Sequence, residues 1–342
     1  MGSNRITLKD VARQVGVHPS TVSRVLNPDT RNMVTREIAE RVTHAVEQLG
    51  YRPNPFAYSL KTNRSRLVGV LVPDLVNPIF PPIIRGIESV LEASGYTAIV
   101  ANTDNHEERE RVILDRMGER QVDGLILATA HREDATVNRR RNAGLPTVLV
   151  NRTIDDPSVF AVVNEDRAGI RMAVEHLAAL GHRRIAHVAG PQTLSTGHRR
   201  LAGFQEVMAE AGLEVDPDLV VSGATYTEEE GNKALSALLT AKRDFTAVVA
   251  ANDLLALGCY DALEAHGLRC PEDVSVTGFN DMPFVDKLRP PLTTIRIPLY
   301  EIGADAARLL LGQLSDHPAE PRTVYAMPTL IVRGSTGPRR AS

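Results

Sequence analysis

From Leu67 onward, short runs rich in β-branched residues alternate with helix-length amphipathic segments, and the alternation runs twice, before and after about residue 162. The strand candidates are Leu67–Val72, Thr97–Ala101, Gly124–Ala128, Thr147–Val150, Ile185–Ala189, Ala247–Ala250 and Val274–Thr277, each apolar throughout and closed by Gly, Pro, Asn or Asp. Between them lie helical segments such as Ile83–Ser94, Arg167–Leu180, Arg199–Ala211 and Leu254–His266. A strand that is apolar on both faces needs cover on both, and successive strand–helix units supply it only as a parallel sheet wrapped by helices. The sequence therefore predicts two similar α/β lobes with a cleft between them. At 342 residues, 43% hydrophobic, the chain exceeds a single core and leaves room for a small additional domain.

That domain is the N-terminal stretch from Thr7 to Asn27. Leu8, Val11, Ala12 and Val15 share one helical face, Gly16 breaks the pattern, and Val22, Val25 and Leu26 share a second. Two short helices meeting at a tight turn form the helix-turn-helix pattern, whose second helix enters the DNA major groove. Thr21, Val22, Ser23 and Arg24 lie near the start of that second helix. Charge follows the same division. Residues 1–66 hold eleven Lys plus Arg against five acids, a balance of +6; the whole chain sums to -3, so the remainder carries -9. A basic head on an acidic body favours phosphate contact at one end. An Arg-rich solvated helix face is the competing reading, and the coincidence of charge with the helix-turn-helix pattern weighs against it.

Other classes find less support. No apolar run approaches the roughly 20 residues of a membrane span, and no charged-then-apolar leader opens the chain, so a cytoplasmic protein without membrane contact is expected. Cys259 and Cys270 lack metal-ligand spacing and read as reduced thiols; no metal and no cofactor is expected. The chain has no GxxxxGK, no GxGxxG after a strand and no GxSxG elbow, and the best nucleophilic triad it can assemble, Ser195, His198 and Asp253, lacks an evident oxyanion turn. Neither a hydrolytic enzyme nor a free-standing sugar-binding protein is favoured.

Ligands of open α/β sheets bind beyond the carboxyl ends of the strands. Polar residues collect there: Asp74 and Asn77, Asn151 and Arg152, Asn252 and Asp253, Asn280 and Asp281. Amides that both donate and accept, together with an Arg, suit a neutral polyhydroxylated ligand such as a sugar. Each Asx singly reads better as a helix cap or turn former than as a ligand contact, and it is their recurrence at the lobe-facing ends that points to a site.

The segments TLKDVARQVGV, TVSRVLN, LGYRPNPFAYSLK, GVLVPDLVNPIF, VDGLIL, GHRRIAHVAGP, RRLAGF, AANDLLALG, GFND, PPLTTI and LIVRGST, in this order along the full length, resemble the lactose-repressor family of bacterial transcription regulators. The resemblance implies an all-α helix-turn-helix head (1–52), a hinge helix and linker (53–66), and a two-lobed α/β body with parallel sheets, like the periplasmic binding proteins (67–338). Lobe one would take 67–161 plus 294–322 and lobe two 165–290 plus 325–338. The lobes would be joined by three crossings near Val162–Glu165, Pro290–Thr294 and Arg322–Met327. It further implies a repressor acting on double-stranded palindromic operator DNA under control of a sugar or sugar derivative. A homodimer is expected, because no long heptad repeat follows Arg333.

Carried over by position, the resemblance implies DNA contacts from Thr7, His18, Ser20, Thr21, Ser23, Arg24 and Asn27. Pro19 presets the first turn of the reading helix. His18 stands where many members have Ser, which puts its capping role in question. Leu60 matches the leucine wedged into the minor groove, and Tyr58 replaces a usual Arg. The implied effector contacts are Asp74, Phe80, Asn151, Thr196, Arg200, Asn252 and Asn280, with Arg200 alternatively a surface residue beside Arg199. Asn151 and Asn280 stand where Asp is common, which disfavours a cationic ligand. Leu194 stands where purine-binding members place a charge, which disfavours a purine.

Overall fold

The computed structural model describes residues 6–27, 30–51, 64–315 and 320–339. The chain divides into two compact units, Met1–Ser65 and Arg66–Ser342. In the first, helices α1 (Leu8–Val15), α2 (Pro19–Leu26) and α3 (Arg36–Leu49) close around Val11, Val15, Val22, Val25 and Val42, all buried. Each boundary has a local cause. The Thr7 backbone N–H donates to Asp10 Oδ2 at 2.9 Å, tying down the first turn of α1. Gly16, at φ 73°, takes the left-handed conformation that ends α1 and turns the chain toward α2. Arg41 reaches back from α3 to donate to the Val15 carbonyl at 2.7 Å, so the end of α1 is fixed from a third direction.

The second unit holds two six-stranded sheets. The first contains β1 (Leu67–Val72), β2 (Thr97–Asn102), β3 (Gly124–Leu127), β4 (Thr147–Val150), β5 (Phe160–Asn164) and β11 (Thr323–Ala326), in the order β11-β5-β4-β3-β1-β2, all parallel. The second contains β6 (Ile185–Ala189), β7 (Val220–Ser222), β8 (Ala247–Ala250), β9 (Ser275–Asn280), β10 (Thr293–Arg296) and β12 (Thr329–Ile331), in the order β12-β10-β9-β8-β6-β7. Here β12 runs antiparallel to β10, an exception to the expected parallel sheets at one edge. The inner strands β1, β3, β4, β6, β8 and β9 are nearly all buried, as the long apolar runs of β1, β3, β4 and β8 require, and β6 and β9 carry buried polar residues such as His187, Ser275 and Thr277 as well.

The helices that position the cleft are α4 (Phe80–Ala93), α7 (Asp166–Ala179), α8 (Ser195–Glu210), α10 (Asp253–Ala265) and α11 (Leu299–Gln313); α5 (Glu107–Glu119), α6 (Ala135–Asn142) and α9 (Glu228–Thr240) complete the set. Helices α4 and α11 approach backbone to backbone through glycine. A Cβ on Gly86 would lie 2.0 Å from the Tyr300 carbonyl oxygen, and one on Gly303 would lie 2.0 Å from that of Ile83.

The chain passes between the sheets three times, after β5, between β10 and α11, and between β11 and β12. The first and third passages lie near the expected Val162–Glu165 and Arg322–Met327. The second departs from Pro290–Thr294, because β10 pairs with β9 along its whole length, from Thr293↔Thr277 to Arg296↔Asn280. The lobe limits shift accordingly: 294–296 belong with the second sheet, while 162–164 and 323–326 belong with the first.

Candidate functional site

Asn77, Ile79, Phe80, Asn151, Arg152, Thr196, Arg200, Tyr226, Asn252 and Asn280 line a small cleft at the carboxyl ends of the strands. Arg200 sits one turn after Thr196 on α8 and is buried, not a surface residue. Its Nε donates to Asp166 Oδ1 at 2.8 Å, its Nη1 donates to the Ala251 carbonyl at 2.7 Å, and its guanidinium carbon stacks 3.8 Å from the centroid of the Phe279 ring. Burial raises the Asp166 carboxyl above the usual range, with Arg200 opposing that shift. These contacts hold the guanidinium as a flat plate at the cavity wall.

Three of the four lining asparagines, Asn151, Asn252 and Asn280, are held differently. Asn252 caps α10, its Oδ1 accepting from Leu255 N–H at 2.8 Å, so the capping reading is right for its oxygen while its amide nitrogen remains to donate. Asn151 sits at φ 64° and accepts from Asn164 Nδ2 at 3.2 Å. Asn280 sits at φ 119° at the end of β9, and its Oδ1 is buried with no hydrogen-bond partner. Asparagine tolerates the left-handed region better than most side chains, so the Asn151 position favours it on backbone grounds as well, whereas φ 119° at Asn280 is a glycine conformation. A buried amide oxygen left unpaired costs about 1–3 kcal/mol, which a ligand donor would recover. Tyr226 donates from its hydroxyl to Thr196 Oγ1 at 3.1 Å and completes the wall.

Six of the seven expected effector contacts are thus brought together: Phe80, Asn151, Thr196, Arg200, Asn252 and Asn280. Asp74 is not. Its Oδ1 accepts from the Val76 backbone N–H at 2.9 Å, closing a local turn away from the lining. Tyr226 and Ile79 join the lining without having been singled out, since neither carries a polar strand-end signal. The signal for Tyr226 is Gly190, where a Cβ would lie 2.3 Å from the phenol ring. The residues of the conceivable triad have other partners: Ser195 Oγ accepts from Thr153 N–H at 3.0 Å, and the Asp253 oxygens accept from Thr294 Oγ1 and Met282 N–H. No group of His, Cys, Asp and Glu suited to a metal ion occurs among the described residues.

In the head, His18 is the N-cap of α2. Its Nδ1 accepts from Ser20 N–H at 3.2 Å, so the imidazole performs the capping usually given to a hydroxyl. Pro19 follows at the first helical position. Thr7, His18, Ser20 and Arg24 are exposed, and Thr21, Ser23 and Asn27 are half-buried. Arg24 stands in the last turn of α2 and not near its start, because the helix is only eight residues long, and Thr30 Oγ1 donates to its carbonyl at 3.1 Å. Tyr58 and Leu60 lie outside the described residues. No helix among the described residues is long and apolar enough to cross a membrane.

Comparison with known proteins places both units. Residues 7–54 match the model of bacterial regulatory proteins of the lacI family, and residues 174–336 match the periplasmic binding protein-like domain. The ribose operon repressor of Halalkalibacterium halodurans is 35% identical over 334 residues, 96% of this chain and 97% of that protein. Among solved structures, a complex of the transcriptional regulator CelR with cellobiose is 32% identical, with a TM-score of 0.75 over 97% of this chain and 100% of that one. The lac repressor dimer bound to operator and the anti-inducer ONPF is 29% identical, with a TM-score of 0.85 over 98% of this chain and 100% of that one. On the helix-turn-helix head, the two-sheet body and a likeness spanning nearly the whole chain, this protein belongs to the lacI family of bacterial regulatory proteins.

Proposed function

We propose that the protein is a transcriptional repressor that binds a palindromic operator as a homodimer in the cytoplasm and changes its DNA affinity when a small polyhydroxylated molecule enters the cleft. In this reading Ser20, Thr21 and Arg24 address bases, while Thr7, His18, Ser23 and Asn27 position the head on the phosphates. Phe80 stacks on the ligand, Arg200 and the amides of Asn151, Asn252 and Asn280 take its hydroxyls, and Thr196 holds Tyr226 against it. A ligand gripped from both lobes favours the closed body, and closure alters the segments leading to the two heads. The observation that carries the effector site is the buried, unpaired Asn280 Oδ1 in a wall whose other polar groups are amides, hydroxyls and guanidiniums. The engagement of Ser195 and Asp253 by other groups supports binding over catalysis.

The test is selection of duplexes from a random pool by the full chain, followed by gel shift of the selected palindrome with sugars and nucleosides added. Enrichment of a two-fold symmetric site, with binding altered by one small-molecule class, supports the reading. Retention of random and selected duplexes alike at matched salt overturns it.

A further inference from the structure

The two arginines in the cleft are not equivalent. Arg200 brings its own counter-ion, Asp166, at 2.8 Å. Arg152 is buried too, yet the hydrogen bond its guanidinium makes among the described residues is a long one of 3.5 Å to Asn105 Oδ1, and no carboxylate there lies within ion-pair distance of it. The acid nearest in charge is Glu110, which is buried and accepts from Thr129 Oγ1 at 2.7 Å. Burial pushes the Glu110 carboxyl up and the Arg152 guanidinium down to about 10. Each charge opposes the other's shift, as Arg200 opposes that of Asp166, but burial outweighs it, and no direct ion pair joins Glu110 to Arg152 among the described residues. The remaining polar lining is amide and hydroxyl, with no carboxylate: Asn77, Asn151, Thr196, Tyr226, Asn252 and Asn280. A guanidinium buried without a counter-ion is costly, and the cost is removed when an anion arrives.

We propose that the effector is an anion, a sugar acid or sugar phosphate whose carboxylate or phosphate pairs with Arg152. Arg200, already neutral as a pair with Asp166, and the amides take the hydroxyls. The proposal rests on the cleft being the effector site and replaces the neutral ligand that the strand-end amides alone suggest.

The test is titration calorimetry on the full chain with matched probes: D-glucose against D-gluconate, D-glucuronate and D-glucose 6-phosphate, and D-ribose against D-ribose 5-phosphate. At least one acid or phosphate should bind roughly tenfold or more tightly than its neutral counterpart, as a charge-assisted hydrogen bond provides. The carboxylate and phosphate arms tell which anion is meant. Arg152→Gln should abolish that preference. Should Arg152→Gln fail to fold, the parent's affinity for the anion should fall with added salt while that for the neutral sugar stays level, and equal salt dependence of the two overturns the charge assignment. Neutral sugars that bind as tightly as their anionic partners, or tighter, overturn the charge assignment and leave the cleft standing. No binding by any probe overturns the cleft reading and this one with it.

Discussion

Arg200 and Asp166 form an ion pair at 2.8 Å, 34 residues apart in sequence and each only 3% exposed, and the pair pins the wall of the cleft to the first turn of α7. Breaking it from one side leaves a buried charge, so Asp166→Ala and Arg200→Ala should each destabilise the body by about 3–5 kcal/mol. The double variant Asp166→Leu/Arg200→Met should recover much of the loss. Urea denaturation of the four proteins checks this. If the double variant loses the sum of the single losses, the two side chains are not coupled.

The head's second helix depends on an imidazole. His18→Ala should remove the acceptor for Ser20 N–H and cost about 0.5–2 kcal/mol, whereas His18→Ser should hold stability near that of the parent. Thermal unfolding followed by circular dichroism distinguishes them. Equal stability of His18→Ala and the parent would show the cap to be idle.

Much of the fold is legible in the sequence because buried parallel strands leave long apolar runs: β1, β4, β6 and β8 fall where those runs lie. The crossings are not. Strands β10, β11 and β12 span three or four residues each, and β11 and β12 are half-exposed, so their apolar content is too small to separate from loop. Arg200 and the strand-end asparagines announce themselves as polar residues after apolar strands. Asp166 does not, because its role as counter-ion depends on α7 meeting α8 in three dimensions. Asp74 misleads for the converse reason: it has the right residue type at a strand end, and a local turn captures it.

Arg24 projects from the last turn of α2 and is exposed. Arg24→Ala should cost roughly 1–3 kcal/mol per half-site on the selected operator while random duplex is still bound in a salt-sensitive way. Competition gel shift at fixed salt measures both. Equal weakening on the two DNAs would make Arg24 a phosphate anchor.

Two buried groups in the body titrate with opposite sign. Burial pushes the Asp253 carboxyl up to about 7, so its contribution to stability is full below the unfolded value near 4 and is lost as pH rises toward 7. Burial pushes the His187 imidazole, stacked on Phe204, down to about 4, so its contribution is full above about 6.5 and is lost as pH falls toward 4. Between these limits they offset. Asp253→Asn should therefore make the body lose stability on acidification from pH 6.5 to 4, and His187→Gln should make it lose stability on the reverse change, each by at most about 3 kcal/mol. Unfolding curves at both pH values check this, and parallel pH dependence of the two variants would refute it.

Asn280 separates ligand binding from stability better than Arg200 does. Its Oδ1 makes no hydrogen bond within the protein and its backbone sits at φ 119°, a conformation that glycine adopts without strain. Asn280→Gly therefore removes an unpaired acceptor and relieves the backbone, and the ligand-free body should be as stable as the parent or up to about 1 kcal/mol more stable. The same change should weaken the effector by about 1–3 kcal/mol, because the donor that the ligand offers to Oδ1 loses its acceptor. Binding free energies are coupled reciprocally, so the concentration of effector needed to alter operator binding should rise by the same factor while operator affinity without effector stays unchanged. Thermal unfolding with and without the identified ligand, beside a gel-shift titration, reads all three quantities. An Asn280→Gly protein that responds at the parent's midpoint would show that this oxygen faces no ligand.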